Sequence, residues 1–202
     1  TTSLRAEDQL AAYKAVRKGV LDYESRQIYR GPELFIDLPS DPAARDEAID
    51  NALNERPDND DLLSAVVLEA DPRKVVAVRQ DGEPFEITGE GLKPVQSGLS
   101  EKAGPNIKIR PGAVIRVVQT ANKTWRITQL PEVESAFVAM DPRTGKVIAL
   151  VGGFDFQKSK FNHVTQAWRQ PGSSFKPFIY SAALEKGLTP STVVNDAPLF
   201  FS

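Results

Sequence analysis

A chain of 202 residues with 25 Lys/Arg against 27 Asp/Glu has a formal net charge of −2, so its overall charge does not mark a polyanion binder. The absence of cysteine excludes disulfides, thiolate metal sites and a cysteine nucleophile, and the single histidine argues against a histidine triad or a zinc site. No metal and no cofactor is expected; no run approaches the ~18 apolar residues of a membrane span, and no signal peptide opens the chain.

Charge is spread unevenly. Residues 1–65 hold eight Lys/Arg and fourteen Asp/Glu, residues 66–130 hold ten and seven, and residues 131–202 hold seven and six. A shift of that size marks a compositional boundary rather than a function. The acidic first block opens with a predicted helix from Leu4 to Arg26, with Leu10, Tyr13, Val16 or Arg17, and Val20 on one face. Pro39-Ser40-Asp41-Pro42 breaks the structure, a helical stretch from Ala43 to Glu55 follows, and Arg56 to Asp61 reads as a loop.

The middle block is rich in short strands. Ala65–Glu69 and Val75–Arg79 flank the turn Asp71-Pro72-Arg73-Lys74, and Phe85–Ile87, Ala113–Val118 and Trp125–Gln129 follow between Gly, Pro and Asn turns. About five short strands in some sixty residues suggest a small all-β barrel of the OB-like type. Its aromatics are few, chiefly Phe85 and Trp125, and its charge is mild, so no nucleic-acid partner is expected. Arg116 and Arg126, at alternating positions, read as solvated strand residues.

From Ala136 to Gly153 two nearly continuous apolar runs flank Asp141-Pro142-Arg143-Thr144-Gly145, a hairpin pattern that predicts strands central to a sheet. Phe154 to Gln170 reads as a loop with a short helix, in which Asn162 and Gln166 are expected to fix the loop by hydrogen bonds. His163 has no motif partner and reads as structural.

The chemistry is concentrated in Gly172-Ser173-Ser174-Phe175-Lys176-Pro177. A spacing of three puts Ser173 and Lys176 on one helix face, about one turn apart. A serine hydroxyl attacks carbonyl carbon only when a base takes its proton, and a lysine held neutral by burial and nearby cations is such a base. The apolar run Phe178 to Leu184 predicts a buried helix, with Pro177 tolerated in its first turn and Ser173 at its N-terminus, where backbone N–H groups favour an oxyanion. Ser174 is the rival hydroxyl, but no lysine lies three residues after it. Alone the tetrapeptide is weak; its context is not.

The ordered string Ala136–Gly153, Phe154-Asp155-Phe156, Ser159-Lys160-Phe161-Asn162, Gln166-Ala167-Trp168-Arg169-Gln170 and the serine motif resembles the start of the transpeptidase domain of class A penicillin-binding proteins, the bifunctional peptidoglycan synthases. Ser-x-x-Lys is a known first motif of that family. Ala11–Tyr23 and Tyr29-Arg30-Gly31-Pro32-Glu33 resemble the family's segment between the glycosyltransferase and transpeptidase domains, and an OB-like insertion resembles the 1a-type subgroup. His163 departs from the arginine expected after Phe161-Asn162.

The resemblance implies an α+β chain: the N-terminal part of a penicillin-binding transpeptidase domain of the serine β-lactamase-like kind, interrupted by a small all-β OB-like barrel. Residues 1–35 would be linker and domain start, 36–131 the OB-like insertion with its helical lead-in, and 132–202 the part carrying the serine. It implies Ser173 as nucleophile, with its backbone N–H in the oxyanion hole, and Lys176 as general base. Implied partners are peptidoglycan stem peptides, β-lactams, a cell-wall regulator at the OB-like domain and the remainder of the domain after Ser202. The location would be the periplasmic side of the bacterial inner membrane, with the anchor in a segment before Thr1.

The family's two further motifs, Ser-x-Asn and Lys-Thr-Gly, do not follow Lys176; Arg143-Thr144-Gly145 precedes the serine and reads as turn chemistry. A companion segment is therefore expected to complete the domain and to pack the helix after Ser173. Two alternatives stay open at this point. One is hydrolysis by the same serine, as in a D,D-carboxypeptidase or β-lactamase; the other is a non-catalytic binding module built on the barrel.

Overall fold

The computed structural model describes residues 2–198, in two compact units, residues 2–166 and 167–198; Thr1 and residues 199–202 of the expected last segment lie outside the described residues.

In the first unit, helix α1 (Ala6–Glu24) carries Glu7 and Asp8 in its first turn, where carboxylates complement the helix dipole. Ala12, Val16 and Val20 recur every four residues and are buried with Ala149, Val151 and Phe154. Leu10, expected on that face, is 53% exposed: the buried stripe runs through Ala12, and Leu10 lies two residues off it, around the helix. Helix α2 (Pro42–Glu55) begins where the Asp-Pro break predicts, one residue before the expected start. Asp41 accepts a hydrogen bond from the Ala44 N–H at 2.9 Å, and Pro42 occupies the first turn, where its missing N–H costs nothing.

A six-stranded antiparallel sheet follows, built from β1 (Leu34–Phe35), β2 (Leu63–Ala70), β3 (Lys74–Val78), β4 (Pro84–Thr88), β5 (Ala113–Gln119) and β6 (Trp125–Thr128). Strands run in the order β1-β5-β2-β3-β4, and β1 and β6 share the edge of β5 that faces away from β2. Strands β4 and β6 come alongside each other without a shared ladder, so the sheet curls round its core without closing into a hydrogen-bonded barrel. Between β4 and β5, a 3₁₀ segment (Gly89–Val95) and the short helix α3 (Gln96–Leu99) place Leu92, Val95 and Leu99 in that core.

Strand β2 shows why its apolar run is continuous. Ala65 and Val67 point into the barrel core, while Val66 packs with Ile49, Ala52 and Leu53 of α2 on the other face. Alternation by two therefore fills two cores, and both sides of the strand are apolar.

Strands β7 (Phe137–Met140) and β8 (Val147–Val151) form the expected hairpin, closed by Asp141, whose carboxylate accepts from the N–H groups of Arg143 at 2.9 Å and Thr144 at 3.1 Å. These two bonds, that from Arg143 foremost, hold the Asp141 carboxyl below its usual range, and Arg143-Thr144-Gly145 is turn chemistry. The hairpin is not central to a larger sheet here. It is a two-stranded sheet that buries Ala149 and Val151 against α1 and leaves Phe137, Val138 and Met140 exposed, because among the described residues nothing covers that side. No helix forms between Phe154 and Gln170 either. Lys158 N–H donates to Asp155 Oδ1 at 2.9 Å and Val164 N–H to Asn162 Oδ1 at 3.0 Å, and these side-chain acceptors make turns in place of a helical ladder.

In the second unit, a 3₁₀ turn (Gly172–Phe175) leads straight into helix α4 (Lys176–Glu185), with Pro177 in the first turn. Helix α4 ends at Gly187, whose N–H bonds to the Leu184 carbonyl at 3.0 Å and whose φ of +87° suits glycine. No residue of α4 is buried among the described residues; Phe178, at 67%, is among its exposed apolar side chains.

Candidate active site

The serine–lysine pair sits where a turn becomes a helix. Gly172 has φ +49°, a left-handed conformation that a side chain resists, and this reversal starts the 3₁₀ turn. Ser174 N–H closes the turn on the Pro171 carbonyl at 2.9 Å, and Lys176 N–H donates to the Ser173 carbonyl. Ser173 thus lies within the 3₁₀ turn ahead of α4, and Lys176 is the first residue of α4. A three-residue spacing in a 3₁₀ turn eclipses the two side chains, so the pair shares one side of the backbone. Both residues are exposed, as are Phe175 and Phe178, whose rings pack at 5.5 Å.

The loop after β8 is rigidly bonded. Asn162 N–H donates to Gln166 Oε1 at 2.7 Å and Val164 N–H to Asn162 Oδ1 at 3.0 Å, so both side chains fix the loop as expected. His163 bonds the Gly152 carbonyl through its backbone N–H at 2.7 Å and its Nδ1 at 2.8 Å, and its ring meets Phe161 edge-on at 4.9 Å; its role in the loop is structural. Glu134 ties the loop down by accepting from Phe154 N–H at 2.8 Å and Lys158 Nζ at 2.7 Å. Burial pushes the Glu134 carboxyl up, but Lys158, the Phe154 N–H and His163 together outweigh it and hold the group below the usual carboxylate range.

Three arginines, none singled out as structural by the sequence pattern, join the barrel to the elements around it. Arg17 on α1 donates to Asn59 Oδ1 at 3.1 Å, to the Asn59 carbonyl at 3.0 Å and to Asp61 at 2.6 Å, and its guanidinium lies 4.4 Å over the Phe154 ring. Arg30 reaches Glu24 at 2.5 Å, Glu132 at 3.1 Å and the Leu130 carbonyl at 2.6 Å. Gln129 completes that knot, accepting from Arg30 N–H at 2.9 Å and donating to Glu24 at 2.8 Å. The segments that lead into and out of the barrel are thereby stitched together. Arg116, read from its alternation as solvated, is buried and paired with Glu33, because β5 has covered faces on both sides; Arg126 is exposed.

Comparison with known proteins gives these elements a common origin. The family model described as "Penicillin-binding protein OB-like domain" matches residues 29–133, and that described as "Penicillin binding protein transpeptidase domain" matches residues 135–201. The chain belongs to the class A penicillin-binding proteins. Penicillin-binding protein 1A of Neisseria lactamica is 42% identical over 200 residues, covering 98% of this chain and 25% of that protein. Penicillin-binding protein 1A of Escherichia coli (strain K12) is 40% identical over 207 residues, covering 98% and 24%. The crystal structure of penicillin-binding protein 1A from Haemophilus influenzae aligns over all of this chain and 29% of that one, with TM-score 0.79 and 33% identity. The α+β class, with an OB-like domain and part of a transpeptidase domain, is thus established. The chain spans about a quarter of the length of the curated relatives it matches.

Proposed function

We propose that this chain is the serine-bearing part of a D,D-transpeptidase that cross-links peptidoglycan stem peptides, with Ser173 as nucleophile and Lys176 as general base. The observation that carries the reading is the placement of Ser173 in a 3₁₀ turn whose next residue but two, Lys176, starts α4, inside a segment matched by the transpeptidase family. Residues 1–35, 36–131 and 132–202 are the linker with the domain start, the OB-like insertion and the serine-bearing part. The break at Pro39-Ser40-Asp41-Pro42 and the change in charge after Leu130 support those limits.

Ser173 Oγ attacks the carbonyl carbon of the penultimate D-alanine while Lys176 Nζ takes its proton. The carbonyl oxygen becomes an oxyanion that accepts from the Ser173 backbone N–H and from a second donor in the rest of the domain. The C–N bond to the terminal D-alanine then breaks, and the proton held by Lys176 passes to the departing amine. An amine of a second stem peptide attacks the resulting ester and gives its proton to Lys176, which passes it to Ser173 Oγ as the C–O bond breaks, so the cross-link replaces the bond that was broken. A β-lactam, with its strained amide, acylates the same serine. The location is the periplasmic side of the inner membrane, held by an anchor outside this chain, and a cell-wall regulator is the partner assigned to the OB-like domain.

Intact mass after incubation with penicillin G tests the reading on the whole enzyme. A single penicilloyl adduct that is lost in Ser173→Ala and kept in Ser174→Ala is expected. An adduct that survives Ser173→Ala overturns it. Release of free D-alanine without any cross-linked product would replace transfer by hydrolysis.

A further inference from the structure

Arg17 stands in the middle of α1 with only 6% of its side chain exposed. Its planar guanidinium has two kinds of neighbour. Along its edge are the Asn59 side chain and carbonyl and the Asp61 carboxylate, on the turn just before β2, with Asp60 Oδ2 3.6 Å from Nε. On its face is the ring of Phe154, 4.4 Å away and fully buried. A flat fork that stacks and donates at once is arginine chemistry, since lysine offers a point charge and no face.

The two neighbours belong to different parts of the chain. The turn lies in the OB-like domain, whereas Phe154 opens the loop after β8 in the transpeptidase part. Leu62, which closes the turn on Asn59, is buried in one cluster with Phe154, Val16 and Val151. Asp60 holds φ +55°, a left-handed conformation few non-glycine residues adopt, and its carboxylate accepts from the Tyr13 hydroxyl at 3.0 Å. From Phe154 onward the loop is pinned in steps. Phe154 N–H donates to Glu134, Lys158 N–H to Asp155, His163 N–H to the Gly152 carbonyl and Gln166 N–H to the Asn162 carbonyl. Gln166 is the last residue before the unit that carries Ser173.

We propose that Arg17 is a positioning residue for acylation: the Asn59–Asp61 turn of the OB-like domain holds its guanidinium on Phe154, and that contact fixes the loop from which the chain runs to Ser173. The inference rests on Ser173 being the nucleophile. It gives the OB-like domain a part in the chemistry that needs no contact with substrate. The turn supplies the acceptors that a buried cation requires, and the cation supplies the surface on which Phe154 rests. A cation that served stability alone would leave the rate of the folded enzyme untouched.

The test separates stability from rate in the whole enzyme. In Arg17→Met an apolar side chain stays against Phe154, while Asp60 and Asp61, each more than half exposed, are left in water, so the fold should hold. The melting temperature should stay within about 4 °C of the parent. The rate constant for acylation at saturating penicillin G should fall about tenfold, with the half-saturating concentration little changed. Amide protection at His163 and Gln166 should fall with it. Asp61→Ala should slow acylation several-fold in the parent and not at all in Arg17→Met, because Asp61 acts through the guanidinium. If Arg17→Met does not fold, Arg17→Lys, which keeps the cation and loses the flat face, carries the same expectations. Parental acylation in the folded variant overturns the proposal alone, and so does an Asp61→Ala effect that persists in Arg17→Met. A parent that takes up no penicillin overturns the transpeptidase reading, and the link from Arg17 to the loop then stands or falls on the amide protection.

Discussion

Arg116 and Glu33 form a two-point ion pair inside the OB-like domain, Nε to Oε1 at 2.5 Å and Nη2 to Oε2 at 3.0 Å, with the guanidinium side chain only 3% exposed. Arg116 Nη1 also donates to the Pro57 carbonyl at 2.7 Å. The pair thus joins β5 to the segment before β1 and to the loop before β2. Removing Glu33 alone leaves a buried cation with carbonyl acceptors only, so Glu33→Ala should cost about 3 kcal/mol. Replacing both by apolar residues, Arg116→Met with Glu33→Leu, should recover all but about 1 kcal/mol. Hydrogen-exchange protection of the β5 amides measures both, and a single variant no worse than the double would show that the pair is not coupled.

A second buried charge sits where the chain enters and leaves the barrel. The Glu24 side chain is 3% exposed and is met by Arg30 and Gln129, whose neighbours Leu130 and Glu132 also bond Arg30. Arg30→Ala should loosen residues 28–33 and 129–133 together and lower their protection by about 2–3 kcal/mol, since Glu24 is left buried without a cation. Adding Glu24→Gln should restore at least half of the loss. If the two segments respond separately, they are not joined by this knot.

Arg116, Glu33 and Glu24 also mark the limit of what the sequence makes legible. Local patterns reveal the start of α2 at Asp41-Pro42, the five longer strands, the Asp141 turn and the serine–lysine spacing, because each depends on residues a few positions apart. The polar anchors depend on distant ones: Arg17 meets Asn59 across 42 positions, Arg116 meets Glu33 across 83, and Gln129 meets Glu24 across 105. An arginine at an alternating strand position reads as solvated unless both faces of the strand are known to be covered. Leu10 fails the opposite way, since an apolar residue near a buried stripe looks like part of it. The hairpin's apolar outer face reads as central, and only the structure shows that nothing among the described residues packs there.

Glu134 predicts an acid-sensitive loop. Its carboxyl lies below the usual value of 4.5 in the folded chain, so its unfolded form takes up protons more readily. Its contribution to stability is complete above pH ~4.5 and falls away as pH drops through the lower, folded value. After correction for intrinsic exchange, amide protection at Phe154 and Lys158 should decline over that range in the parent. In Glu134→Gln it should be weaker at neutral pH and flat with acid. Parental protection that stays level down to about pH 3 would assign the loop's stability to other groups.

Gly172 supplies the sharpest test of how the backbone aims the serine. Its φ of +49° is left-handed, and a Cβ added there would meet no atom within 4 Å, so alanine meets a conformational penalty and no clash. That penalty is about 1 kcal/mol, which the chain can relieve by relaxing φ and turning the 3₁₀ segment that holds Ser173. Gly187, at φ +87° after α4 and equally open, is the matched control. Both alanine variants should lose similar stability in the whole enzyme. The rate of penicillin acylation should fall about fivefold or more in Gly172→Ala and stay near the parental value in Gly187→Ala. Equal falls in both would mean that the loss reflects general destabilisation, whereas a fall confined to Gly172→Ala ties the left-handed turn to the position of the attacking oxygen.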